Sequence, residues 1–168
     1  MLDINTAQRV LARAQATGGD FAEIFWEDTL TSSMSYRDGS MERAVSGRNH
    51  GAGIRVLLGT DCVYVFTNDT SEEGLLDAAE KAAAALGEKR GSGRTVSLES
   101  RVLKTRNPIA IAASSVAASQ KAAWLKNGYQ AAKAYSDEIG QVSVSLTDST
   151  RRIIIANSDG LFVPTEHS

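Results

Sequence analysis

Few side chains in these 168 residues are of the types that do covalent or metal chemistry: two histidines, His50 and His167, and one cysteine, Cys62. A zinc site needs three or four ligands drawn from His, Cys, Asp and Glu. His50 stands in a polar, glycine-flanked stretch, SGRNHGAG, with no second histidine nearby. It reads as a solvated loop residue. Cys62 lies among apolar strand residues and reads as a core residue, because a buried cysteine behaves as a small hydrophobe. A lone cysteine also excludes an internal disulfide and a thiol metal cluster. Glu23 and Glu27 fall on one face of a strand, and read as the solvated face of an outer strand rather than as a paired acid and base. The stretch EKRGSGRT, residues 88–95, resembles a phosphate loop only superficially, since the lysine position and the glycine spacing are both missing. Gly51-Ala52-Gly53 lacks the third glycine of a dinucleotide fingerprint. Asn68-Asp69-Thr70 matches a glycosylation sequon but reads as a helix cap. No position is assigned a catalytic, cofactor-binding or metal role.

The elements that would position these residues centre on residues 51–70, GAGIRVLLGTDCVYVFTNDT. Alternation predicts two strands around Gly59-Thr60-Asp61, with Ala52, Ile54, Val56 and Leu58 on one face of the first arm. Cys62, Tyr64 and Phe66 form the corresponding face of the second arm. Apolar residues on both faces make this the predicted central, most buried hairpin. A helix over 71–86 follows, with Leu75, Ala79, Ala82, Ala83 and Leu86 as its apolar stripe. Asn68, Asp69, Thr70 and Ser71 are its candidate caps, Thr70 and Glu73 stand at capping-box spacing, and Gly87 is the stop. Before the hairpin come a helix over 5–17 capped by Asp3 or Asn5, a strand over 21–28, and strands over 31–37 and 41–46 joined at Asp38-Gly39. Residues 47–50 lead back to the central hairpin.

Residues 88–107 read as a linker, with a short extended piece over 96–104. Asn107 then caps a long helix reaching to about 135, with Pro108 in its first position. Its predicted buried face is Ala113, Ala117, Trp124, Ala131 and Tyr135. Strands follow over 139–147 and 152–157, and a third begins at 161–163. The expected fold class is α+β. An antiparallel sheet with helices packed on one face occupies residues 1–87, the linker 88–107, and a second partial unit 108–168. The second sheet reads as cut short inside a domain.

The formal net charge of −2 gives no basic field for nucleic acid. No basic start with an apolar run marks a signal peptide, and no stretch nears the ~20 apolar residues of a membrane span. The expectation is a soluble cytoplasmic protein.

Three stretches, GGDFAEIFWED, YRDGSMERAVSGRNHGAGIRVLLG and VFTNDTSEEGLLDAAEKAAA, together with AAKAYSDEI and QVSVSLTDSTRRIIIANSDGLFV, resemble the N-terminal region of the TldD/PmbA family. The TNDTSEEGL run is more similar to the TldD branch. The family is one of zinc-dependent peptidases, long called modulators of DNA gyrase. Its signature is a helical H-E-x-x-x-H with a further ligand downstream, where two imidazoles hold zinc and the glutamate takes a proton from zinc-bound water. His50 and His167 are too far apart to match it, and Glu166-His167 has the wrong order. The resemblance therefore implies zinc and peptidase activity for a longer parent, with none in this chain. It implies a role here in assembly with a like or related subunit and in enclosing a peptide or unfolded-protein substrate. The alternatives are a self-standing interaction module binding partners by its sheet edges, or a gyrase-linked regulator.

Overall fold

The computed structural model describes residues 1–87, 96–101 and 108–168. The first helix, α1 (Ile4–Ala14), starts where Asp3 accepts from the backbone N–H of Asn5 and Thr6. Its apolar spacing buries Ala7, Val10, Leu11 and Ala14. Two long strands follow, β1 (Phe21–Arg37) and β2 (Ser40–Leu58). They turn through Asp38 and Gly39, with φ of 46° and 88°. Successive positive φ values give a turn whose twist matches the strands it joins. β3 (Asp61–Thr67) then pairs antiparallel with β2. α2 (Glu72–Leu86) is capped by Ser71, whose hydroxyl accepts from the Gly74 N–H, and ends at Gly87 with φ of 89°. Thr70 is not the cap.

β4 (Glu99–Ser100) is a two-residue strand parallel to β6 (Leu161–His167). A 3-10 turn at Ala113–Ser115 precedes α3 (Ala118–Lys133), and β5 (Ser143–Asn157) leads to β6. The six strands form one sheet in the order β3-β2-β1-β5-β6-β4. The Ser158 N–H donates to the Ala22 carbonyl and the Asp38 N–H to the Val142 carbonyl, so β5 runs antiparallel to β1. The fold is α+β with a mostly antiparallel sheet, as expected.

Several local expectations change. Strands 21–28 and 31–37 are one strand. So are 41–46 and the first hairpin arm, and so are 139–147 and 152–157, whose strand begins at Ser143. Polar residues such as Asp148 and Ser149 look like turns, but ladder pairing with a neighbour outweighs local turn preference. The predicted central hairpin lies at the sheet edge, because among the described residues β3 has only β2 beside it. Its second arm also faces the other way. Ile54 pairs with Val65 and Val56 with Val63. Partners across a ladder share a face, so Val63 and Val65 pack on the core while Cys62, Tyr64 and Phe66 look outward. The Tyr64 and Phe66 rings lie over Gly53 and Gly51, where a Cβ would collide with them.

The long helix is shorter than expected. Residues 108–117 hold only the 3-10 turn, and Val116 and Ala117 are extended, with ψ of 123° and 140°. The Ser115 hydroxyl donates to the Ala112 carbonyl, the local competition that keeps serine from extending a helix. The predicted cap, Asn107, lies outside the described residues, as does the stretch 88–95. The predicted buried face is also displaced: Trp124 and Tyr135 are exposed, and Lys121 and Leu125 are buried. Finally, β6 continues through Pro164 to His167 instead of stopping near 163.

The chain divides into two compact units, one of residues 1–28, 50–106 and 152–166, the other of 29–49, 107–151 and 167–168. The core of the first gathers α1, α2 and alternate residues of the strands: Ala22, Ile24 and Trp26 of β1, Ala52, Ile54 and Val56 of β2, Ile154 and Ala156 of β5. Alternate strand residues share one face, so both helices cover the same side of the sheet. In the second unit Leu125 and Val142 are buried, Gly128 approaches Val144, and Tyr36 stacks at a tilt on Tyr129, centroids 5.4 Å apart.

Candidate functional site

Two polar groupings stand out, one in each unit. In the first, His50 is part of strand β2, half-buried, rather than a solvated loop residue. Its Nε2 lies 2.7 Å from the Thr70 hydroxyl just ahead of the α2 cap. Its Nδ1 lies 3.5 Å from a carboxylate oxygen of Asp28, an ion pair when the imidazole is protonated. Trp26 meets the ring edge-on at 5.4 Å. The indole Nε1 and the imidazole Nδ1 are both buried without a hydrogen-bond partner among the described residues. Carboxylate, imidazole and hydroxyl stand in a row. The hydroxyl belongs to a turn beside a helix start that Ser71 already caps, while Asp69 accepts from the Ser71 N–H.

This grouping does not fit zinc. One imidazole nitrogen is engaged by Thr70 and the other faces a single carboxylate. Among the described residues no group of three or more His, Cys, Asp or Glu side chains could hold a metal. His167 is exposed at the end of β6, and Glu166 pairs with Arg152 at 3.2 Å. Glu23 does not lie on an outer strand: β1 is interior to the sheet, and Glu23 meets Arg55 at 3.0 Å. Cys62, expected in the core, is exposed.

In the second unit, Lys121 of α3 and Asp148 of β5 form an ion pair of 2.7 Å, with side chains 7% and 18% exposed. They line a cavity of about 360 Å³ together with Leu30, Arg48, Ser114 and Thr150. Thr150 is 4% exposed, and its hydroxyl oxygen has no partner among the described residues. Nothing in the sequence reading singled out these residues. Lys121 sits in an alanine- and serine-rich run, and Asp148 in a stretch that reads as a turn. The available signal was the i, i+4 spacing of Lys121 and Leu125, which puts both on one helix face.

Comparison with known proteins identifies the family. Residues 22–86 match the profile described as PmbA/TldA metallopeptidase domain 1, and residues 111–167 that of the PmbA/TldA metallopeptidase central domain. The chain belongs to the PmbA/TldD family. A protein named metalloprotease from Methanothermobacter thermautotrophicus is 29% identical over 144 residues, which is 86% of this chain and 31% of that protein. The chain thus spans about a third of the length of the curated relative it matches.

Solved structures share the fold. Two are proteins named as modulators of DNA gyrase. The one from Thermotoga maritima has a TM-score of 0.73 at 20% identity over 96% of this chain and 36% of that one. The one from Bacteroides thetaiotaomicron has a TM-score of 0.70 at 18% identity over 96% and 38%. The third is TldE from Thermococcus kodakarensis, with a TM-score of 0.69 at 16% identity over 96% and 36%. Among the described residues of this PmbA/TldD chain no helix is long and apolar enough to cross a membrane.

Proposed function

We propose that this chain is the non-catalytic N-terminal part of a TldD/PmbA-like zinc-dependent peptidase, of the TldD branch. It helps subunits assemble and encloses the path of a peptide or unfolded-protein substrate in the cytoplasm. The reading is carried by the consecutive match to domain 1 and the central domain, in that order, within about a third of a metalloprotease's length. The gap between the two matched stretches supports a division at 88–107. Zinc and the water-activating glutamate belong to the rest of such a peptidase, a reading supported by the lack, among the described residues, of neighbours that would complete a ligand set around the histidines. A self-standing interaction module is less favoured, because two successive domains of one enzyme family cover most of the chain.

The sheet supports the assembly role. β3 pairs on one side only and carries Tyr64 and Phe66, each 59% exposed, on its outward face. A seven-residue edge strand whose one charged residue, Asp61, stands at its first position invites pairing with another strand. Light scattering across a concentration series should show a like or related subunit joining, with dimers or larger species growing as concentration rises. Tyr64→Lys, which places a charge on that edge, should shift the chain toward monomer. A strict monomer at every concentration, alone and with a related subunit, would count against the assembly role.

A further inference from the structure

The Lys121–Asp148 cavity is hard to explain as a purely structural ion pair. Lys121 is in the first turn of α3, where the helix dipole disfavours a cation. It is also among the most buried polar residues of the chain, at 6% exposure. Burying both members of an ion pair often costs more than their attraction returns. Replacement by apolar residues would suit a plain core better. An ammonium has three donors, and Asp148 takes one. The helix N-terminus beside it has no side-chain cap, since Ala117 fills that position. Thr150 adds a buried hydroxyl with no partner among the described residues, and Arg48 a second cation on the wall.

We propose that this cavity binds a small zwitterion, a free α-amino acid or a dipeptide. The carboxylate end goes to the Lys121 and Arg48 side, at the positive end of α3. The ammonium end goes to Asp148, and Leu30 offers the apolar contact for a side chain. Charge balance selects this class. A simple anion on Lys121 would take that ammonium from Asp148 and leave the carboxylate without its cation. A simple cation would face Lys121 and Arg48. A ligand carrying both charges opens the pair and leaves each member partnered. The volume of about 360 Å³ lies at the small end of ligand pockets, so an extended peptide does not fit. Such ligands are the products of peptide hydrolysis, but the binding itself does not depend on the assembly reading.

Calorimetry on the whole 168-residue chain tests it, with L-alanyl-L-leucine and free L-leucine as probes. The controls are the N-acetylated dipeptide, the dipeptide amide, and acetate. Saturable binding of either probe is expected, with each blocked form and acetate at least about tenfold weaker, the size of a lost charge-assisted contact. Lys121→Met and Asp148→Asn should abolish binding. Arg48→Gln, at an exposed position, and Thr150→Val should weaken it severalfold while circular dichroism stays native. These two carry the test if the buried-pair variants do not fold. No binding of either probe at millimolar concentration, equal binding of blocked forms or acetate, or affinity unchanged in both Arg48→Gln and Thr150→Val would overturn the proposal. Loss of subunit assembly with zwitterion binding intact would instead strike only the assembly role.

Discussion

At the scale of single residues, caps and exposed groups make the clearest predictions. Ser71 alone supplies the side-chain cap of α2. Ser71→Ala should cost about 1 kcal/mol of stability, measured by urea unfolding. Cys62 should react fully with a thiol reagent in the native chain, because β3 turns it outward. Protection until unfolding would restore the core reading. Two carboxylates at the helix starts, the α1 cap Asp3 and Asp69 ahead of α2, set an acid dependence. The Thr6 backbone N–H, then the Thr6 hydroxyl, hold Asp3 below its ordinary value of 3.8. The Ser71 hydroxyl and then its N–H do the same for Asp69. A lowered folded-state value means the stabilisation is present above the unfolded value near 3.8 and is lost as pH falls through the lower folded one. The melting-temperature gap between the wild type and Asp3→Asn should therefore be widest at neutral pH and close below that window. A gap constant from neutral pH down to acid would contradict the capping role.

At the scale of elements, Leu75 is fully buried where α2 meets the sheet. Leu75→Ala should cost about 2–5 kcal/mol, far more than Tyr64→Ala on the outward face of β3. α2 was legible because cap, stripe and stop agree, with Ser71 and Gly87 around it; for α1 the Asp3 cap and the stripe held, while the helix ends at Ala14 rather than at 17. Asp38-Gly39 marked its turn for the same reason. What stayed hidden depended on pairing. Gly47, Asn49, Asp148 and Ser149 carry turn character, yet each lies inside a strand held by neighbours distant in sequence. The facing of β3 depended on a two-residue loop placing Leu58 opposite Asp61, a register that composition does not state. The start of α3 depended on serine bonding locally in place of continuing the helix. The cavity combines β1, β2, the 3-10 turn, α3 and β5, so no single stretch of sequence announces it.

At the scale of the whole molecule, the family resemblance was legible in ordered runs of residues, while individual functional side chains were not. The match to domain 1 and the central domain places this chain in a metallopeptidase family, and its own histidines build no ligand set among the described residues. The central claim is that the chain contributes assembly and enclosure rather than catalysis. The measurement that tests it most directly is hydrolysis of unfolded protein and fluorogenic peptides by the purified, tag-free 168-residue chain, with and without a zinc chelator. No cleavage above the buffer rate is predicted, at any zinc concentration. Turnover that scales with the chain, disappears with chelator and returns with zinc would contradict the account.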